Sequence, residues 1–118
     1  MQREKRQKGF SLIELLIVVA IILIIASIAI PNLLRARMSA NEASAVGAIK
    51  AINTAQISYL SAYPTAGYAA TLGALGGTAC SPPNSASACL IDTQLASGNK
   101  SGYNFTITGV SGTPAVSY

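Results

Sequence analysis

Histidine and tryptophan are absent from the 118 residues, and charged residues make up only 10%. Without an imidazole there is no side chain whose ordinary pKa lies near neutrality to act as a general base. The four acids, Glu4, Glu14, Glu42 and Asp92, stand alone in sequence, so no carboxylate pair suggests acid–base chemistry. No cofactor site is expected: the Gly76-Gly77 pair lacks the spacing of a phosphate-binding loop. Two cysteines, Cys80 and Cys89, cannot make a usual four-ligand zinc site without histidine, so no metal is expected. Calcium takes six to eight oxygens, and Asp92 is the single acid beyond residue 62. The low charge also excludes a broad basic face, so no dedicated nucleic-acid site is expected. Positions 11–58 contain no aromatic residue, which argues against an electron-conducting aromatic helix. From Asn32 onward large apolar residues are sparse. Any core there is small and gains from a covalent staple.

What the chain does have is concentrated at its start. Arg3, Lys5, Arg6 and Lys8, offset by Glu4, give the first nine residues a side-chain charge of +3 of the total +4. Phe10 to Ile30 follow as an apolar run broken only by Ser11, Glu14 and Ser27, and Pro31 closes it. Twenty-one helical residues span roughly 31 Å, about one bilayer hydrocarbon core. The basic excess before the run places the N-terminus in the cytoplasm and the rest outside.

Three readings compete for this stretch. One is a discarded secretory signal ending near Ser27-Ile28-Ala29, ahead of a secreted binding module. Another is a plain signal anchor. The third is a leader removed on the cytoplasmic side, before an apolar run that stays in the membrane. Glu14 separates them. A carboxylate inside an apolar run costs a few kcal/mol on insertion scales, and neither of the first two readings gives it a use. A cut between Gly9 and Phe10 creates a cationic α-amine four residues away. Amine and carboxylate can then neutralise each other, within one chain or between neighbours.

Lys8-Gly9-Phe10-Ser11-Leu12-Ile13-Glu14-Leu15-Leu16, with Ile30-Pro31, resembles the type IV pilins and pseudopilins of the short-leader group. The resemblance covers roughly residues 6–45. It implies cleavage between Gly9 and Phe10 by a membrane-embedded prepilin peptidase, N-methylation of Phe10 by the same enzyme, and a role for Glu14 in assembly. The implied protein is a structural filament subunit and no enzyme. It waits in the inner membrane with its C-terminal part in the periplasm. It then joins a homo-oligomeric helical filament with the help of pilus or secretion machinery, exchanging lipid for neighbouring copies. Pilus and type II secretion pseudopilus stay open as alternatives.

The implied fold is α+β and pilin-like: one long helix, about residues 10–62, packed on a small antiparallel head. Four segments result: a leader 1–9, a transmembrane and assembly half 10–31, an amphipathic half 32–62 and an extracytoplasmic head 63–118. Leu34, Met38, Ala45, Ile49, Ile52, Tyr59, Leu60 and Tyr63 lie in one broad stripe at 100° per residue. Asn41, Glu42 and Gln56 interrupt it. The other side is small and polar: Ala36, Ala40, Ala43, Gly47, Thr54, Ser58 and Ser61. Pro31 is expected to kink or locally melt the helix, and Pro64 to help end it.

In the head, short helices are expected within Ala69–Leu75 and Leu90–Ala96. Outside the cytoplasm Cys80 and Cys89 close a short disulfide loop, and inside it they stay thiols. Tyr103 to Thr108 alternates and is rich in β-formers, so it reads as a strand, with Ala115 to Tyr118 as the return of a hairpin. Such a hairpin is marginal alone. The head is therefore expected to be either truncated at Tyr118 or completed by a partner chain. Asn104-Phe105-Thr106 matches a glycosylation acceptor pattern, read here as chance. The tyrosines are expected to pack the seam between helix and sheet.

Overall fold

The computed structural model describes residues 9–78 and 80–111. They form an α+β fold of one long N-terminal helix, two one-turn helices and a two-stranded antiparallel sheet. The chain divides into two compact units, one up to Met38 and one from Ser39 onward. Helix α1, Leu12–Ala62, starts two residues later than expected and runs unbroken through Pro31. The local melting expected at that proline is not seen. A run of apolar residues on its N-terminal side and good helix formers beyond it sustain the neighbouring turns.

From Ser39 on, α1 buries Ala45, Ala48, Ala55, Gln56 and Tyr59, with Ile52 half-buried, as is Tyr63 just past its end. Their spacing of three and four residues marks one face of a 3.6-residue helix. The face differs from the expected stripe. Leu34, Met38 and Ile49 are exposed, and alanines take their place. Small side chains let the 69–88 region approach the helix closely, which a row of leucines would prevent. Gln56, which looked like a flaw in the stripe, sits at its centre with no exposed surface. Its Nε2 donates to the Ala69 carbonyl at 3.0 Å, and its Oε1 accepts from the Ala69 amide at 2.8 Å. A buried amide is tolerated because both of its ends are paired.

The core is small: Ala55, Tyr59, Ala69, Leu72, Leu75 and Ala88, flanked by Ile52, Tyr63, Ile91, Phe105 and Ile107. Helix α2, Leu72–Leu75, is capped by Thr71, whose hydroxyl accepts from the Ala74 amide at 3.2 Å. Helix α3, Thr93–Ala96, buries Leu95. Asp92 precedes α3 without capping it and pairs with Lys100 at 3.2 Å instead. Residues 88–90 run beside α2, where the amides of Ala88, Cys89 and Leu90 donate to the carbonyls of Ala74, Gly76 and Leu75. Gly77 is required in this layer. Its φ of 103° is left-handed, and a Cβ there would run into the Ser87 side chain.

Cys80 and Cys89 are joined by a disulfide, with Cα atoms 5.8 Å apart. Tyr59 ties the loop they close to the helix, its hydroxyl donating to the Ser85 carbonyl at 2.6 Å. Burial, with Tyr63 close by, pushes the Tyr59 phenol above its ordinary pKa. Of the other described tyrosines, Tyr63 also packs at this seam, on Tyr59 with ring centroids 5.0 Å apart, whereas Tyr103 is 41% exposed.

The sheet corrects the expected hairpin. Strand β1, Asn99–Lys100, pairs antiparallel with β2, Tyr103–Asn104. Ser101 and Gly102 between them both have positive φ, 54° and 80°. Two left-handed residues in a two-residue loop make the turn whose twist matches paired strands. The ladder ends at Asn104, and Phe105 to Thr108 are not strand. The Ser101 hydroxyl bonds that of Ser44 on α1 at 2.7 Å, fixing the hairpin to the helix. The expected return strand Ala115–Tyr118 and most of the leader lie outside the described residues.

Candidate processing and assembly segment

Gly9 and Phe10 are exposed and lie just outside the helix, and Phe10 is 93% exposed. The peptide between them is therefore non-helical chain in reach of solvent, with regular helix starting at Leu12. Ser11 is the residue before the helix, and its carbonyl accepts from the Leu15 amide at 3.3 Å. Glu14 folds back on this end, where its Oε2 accepts from the Ser11 amide at 3.0 Å. Ser11-x-x-Glu14 has the spacing of a capping box, of which this bond is the glutamate half. The first amides of a helix have no partner within it. Together they carry partial positive charge, which favours a carboxylate at this end.

This geometry alters the sequence argument about Glu14. The carboxylate has a partner before any cut, so a cationic amine is not its only use. Capping also explains why α1 starts at Leu12 and leaves Phe10 outside. The S-x-x-E pattern ahead of an apolar run was the sequence signal for it.

Beyond the cap, fourteen large apolar side chains from Leu12 to Ile30 are exposed. At about 1.5 kcal/mol or more for each one fully buried, leaving them in water forgoes roughly 20 kcal/mol. The helix is long and apolar enough to cross a membrane, by length and composition. The one hydroxyl inside the run is satisfied within the helix, since Ser27 Oγ donates to the Ile24 carbonyl at 2.7 Å. Pro31 lies inside α1, and Arg35 and Arg37 follow it, both exposed. Cys80 and Cys89 are far along the chain and belong to the head. Among the described residues no three His, Cys, Asp or Glu side chains are grouped to hold a metal.

Residues 5–30 match the family description "Prokaryotic N-terminal methylation motif". The type IV major pilin protein PilA of Myxococcus xanthus is 50% identical over 56 residues, covering 48% of this chain and 26% of the relative. The type IV wide pilus major component PilA4 of Thermus thermophilus is 63% identical over 38 residues, covering 32% of this chain and 29% of the relative. The type II secretion system core protein G of Dickeya chrysanthemi is 36% identical over 83 residues, covering 68% of this chain and 53% of the relative. The chain thus spans between about a quarter and a half of these relatives. No solved structure matches it. The methylation motif lies on the capped start of the apolar helix, and with these matches it supports a place for the chain in the type IV pilin and pseudopilin family.

Proposed function

We propose that this protein is a structural subunit of a type IV pilus or a related filament, cut between Gly9 and Phe10 and assembled through its N-terminal helix. The observation that carries this reading is the junction at Phe10. An exposed, non-helical peptide meets a carboxylate-capped helix whose apolar side chains are exposed from Leu12 to Ile30. A prepilin peptidase in the inner membrane removes residues 1–9 and methylates the new amine of Phe10. The Glu14 carboxylate, held on the Ser11 amide, is then one residue from that amine. Two opposite charges about 4 Å apart near a protein surface attract by about 4 kcal/mol. The pair lowers the cost of carrying the carboxylate through lipid and into a filament core, where a neighbour's amine can take the same place.

The head stays in the periplasm until α1 leaves the lipid for the helices of other copies. A bend at Pro31 lets the two halves of α1 follow the filament separately. The role is structural rather than catalytic. A type II secretion pseudopilus is the second reading. The Dickeya core protein G match favours it, because it runs through more of this chain than either pilin match.

The test combines mass spectrometry with filament yield. The native protein is expected to start at a methylated Phe10, and a start at Met1 would reject the processing step. Glu14→Ala is expected to insert in the membrane but to lose assembly. Glu14→Gln keeps an oxygen for the Ser11 amide and removes the charge. If Glu14→Gln assembles normally, capping alone is the role of Glu14 and the charge-pairing account fails. Imaging of filaments at the cell surface separates pilus from pseudopilus.

A further inference from the structure

We infer that Arg35 and Arg37 are a lipid-binding clamp, gripping anionic phospholipid headgroups of the leaflet on the head side while the subunit waits in the membrane. The inference rests on the membrane-spanning reading above, and concerns residues that processing and charge pairing leave unused. Both side chains are exposed. Among the described residues neither has an ion pair; the salt bridge there joins Lys100 to Asp92. No carboxylate lies three or four residues from either arginine, the spacing at which helix neighbours pair.

Their axial position fits headgroups. At 1.5 Å per residue, Arg35 and Arg37 stand roughly 34 and 37 Å beyond Leu12 along α1. The hydrocarbon core is about 30 Å thick, and about 40–45 Å including the headgroup layers. With Leu12 at one face of the core, both guanidinium groups reach the opposite headgroup layer, and Pro31-Asn32-Leu33-Leu34 bridge the boundary. Two residues apart on a helix means roughly 200° around it. The two groups therefore face opposite sides and meet different lipids.

The chemistry selects phosphate. A guanidinium is weakly hydrated and offers a rigid fork of donors that matches phosphate oxygens in pairs. Cations on the far side of a span also work against the charge bias that orients it. Two uncompensated arginines at that place oppose the insertion signal supplied by the leader, unless they do something there. Gripping headgroups fixes the depth of α1 and holds the subunit until neighbouring copies replace the lipid.

The experiment uses the full chain in phosphatidylcholine vesicles with the head outward. Spin-labelled phosphatidylglycerol or phosphatidylcholine is added from outside, so that it samples the head-side leaflet and not the leaflet facing the leader. The spectral fraction of immobilised lipid gives the association ratio of the two headgroups. Wild type is expected to prefer phosphatidylglycerol about fivefold, as follows from about 1 kcal/mol per cation near an anionic surface. Arg35→Gln/Arg37→Gln is expected to bring the ratio close to one. Arg35→Lys/Arg37→Lys keeps the charge without the fork and is expected to fall between. Circular dichroism confirms that each variant retains α1. Equal ratios for wild type and the Gln variant would overturn the clamp and leave the filament reading standing. Failure of wild type to insert would overturn both.

Discussion

Replacing Gln56 by leucine keeps the volume of the side chain and removes both hydrogen bonds to Ala69. Ala69 is 1% exposed, so water cannot take over either backbone group. Each buried orphan costs about 1–3 kcal/mol, and two cost about 2–6 kcal/mol. A domain of this size is stable by only about 4–11 kcal/mol on the per-residue scale, so the loss takes a large share of the total. Gln56→Glu sharpens the test. A protonated glutamic acid can accept from the Ala69 amide and donate to its carbonyl, as the amide does. An ionised one turns an oxygen lone pair on that carbonyl while buried. The folded-state pKa of the new carboxyl is therefore raised above its unfolded value near 4.3. Stability from the neutral form is present below the unfolded pKa and is lost as pH rises through the folded one. The assay is urea unfolding in detergent, followed by tyrosine circular dichroism and extrapolated linearly. Gln56→Leu is expected to be weakened at every pH, and Gln56→Glu to approach wild type near pH 4 and fall well below it at pH 8. A Gln56→Glu profile parallel to wild type across that range would refute the reasoning, as would a leucine variant within about 0.5 kcal/mol of wild type.

Removal of the disulfide by Cys80→Ser/Cys89→Ser frees a loop with a sequence separation of 9. Loop entropy puts the loss at about 2–3 kcal/mol, readable as a lower urea midpoint. Tyr59→Phe tests the buried phenol. Its pKa is raised in the folded state, so the unfolded chain ionises first once pH passes 10. Wild-type stability is then expected to fall with pH above 10 relative to the Phe variant, with a constant difference below it. A gap that stays the same from pH 8 to 11 would remove burial as the cause. At the N-terminus, the Glu14→Gln and Glu14→Ala pair is expected to separate helix capping from charge pairing in filament yield.

Periodicity reports spacing, and spacing alone places a residue on a face of the helix. It does not say which face the head covers. The expected stripe was weighted toward bulk and so included Leu34, Met38 and Ile49, all of which the structure leaves exposed. The head closes on alanines because they allow a near approach, and Gln56 became central once Ala69 supplied both of its partners. The hairpin shows the same limit at short range. Tyr103 to Thr108 has strong β propensity, yet the ladder forms only where the Ser101-Gly102 turn returns the chain, between Asn99–Lys100 and Tyr103–Asn104.

The N-terminal segment is legible from residue order alone. The basic first nine residues, Gly9-Phe10, the lone Glu14 and an apolar run closed by Pro31 are local features, and their consequences depend on distance along one helix. The Ser11–Glu14 cap was also written there, three residues apart, and it supplies a use for the carboxylate that the charge argument alone overlooked. The head took its arrangement from packing. Its few large apolar residues leave several near-equal ways to pack. The choice fell to contacts between residues distant in sequence: Gln56 with Ala69, Tyr59 with Ser85, and Ser44 with Ser101. Each fixes one approach of chain to helix, and none follows from residue type or spacing before the chain is folded.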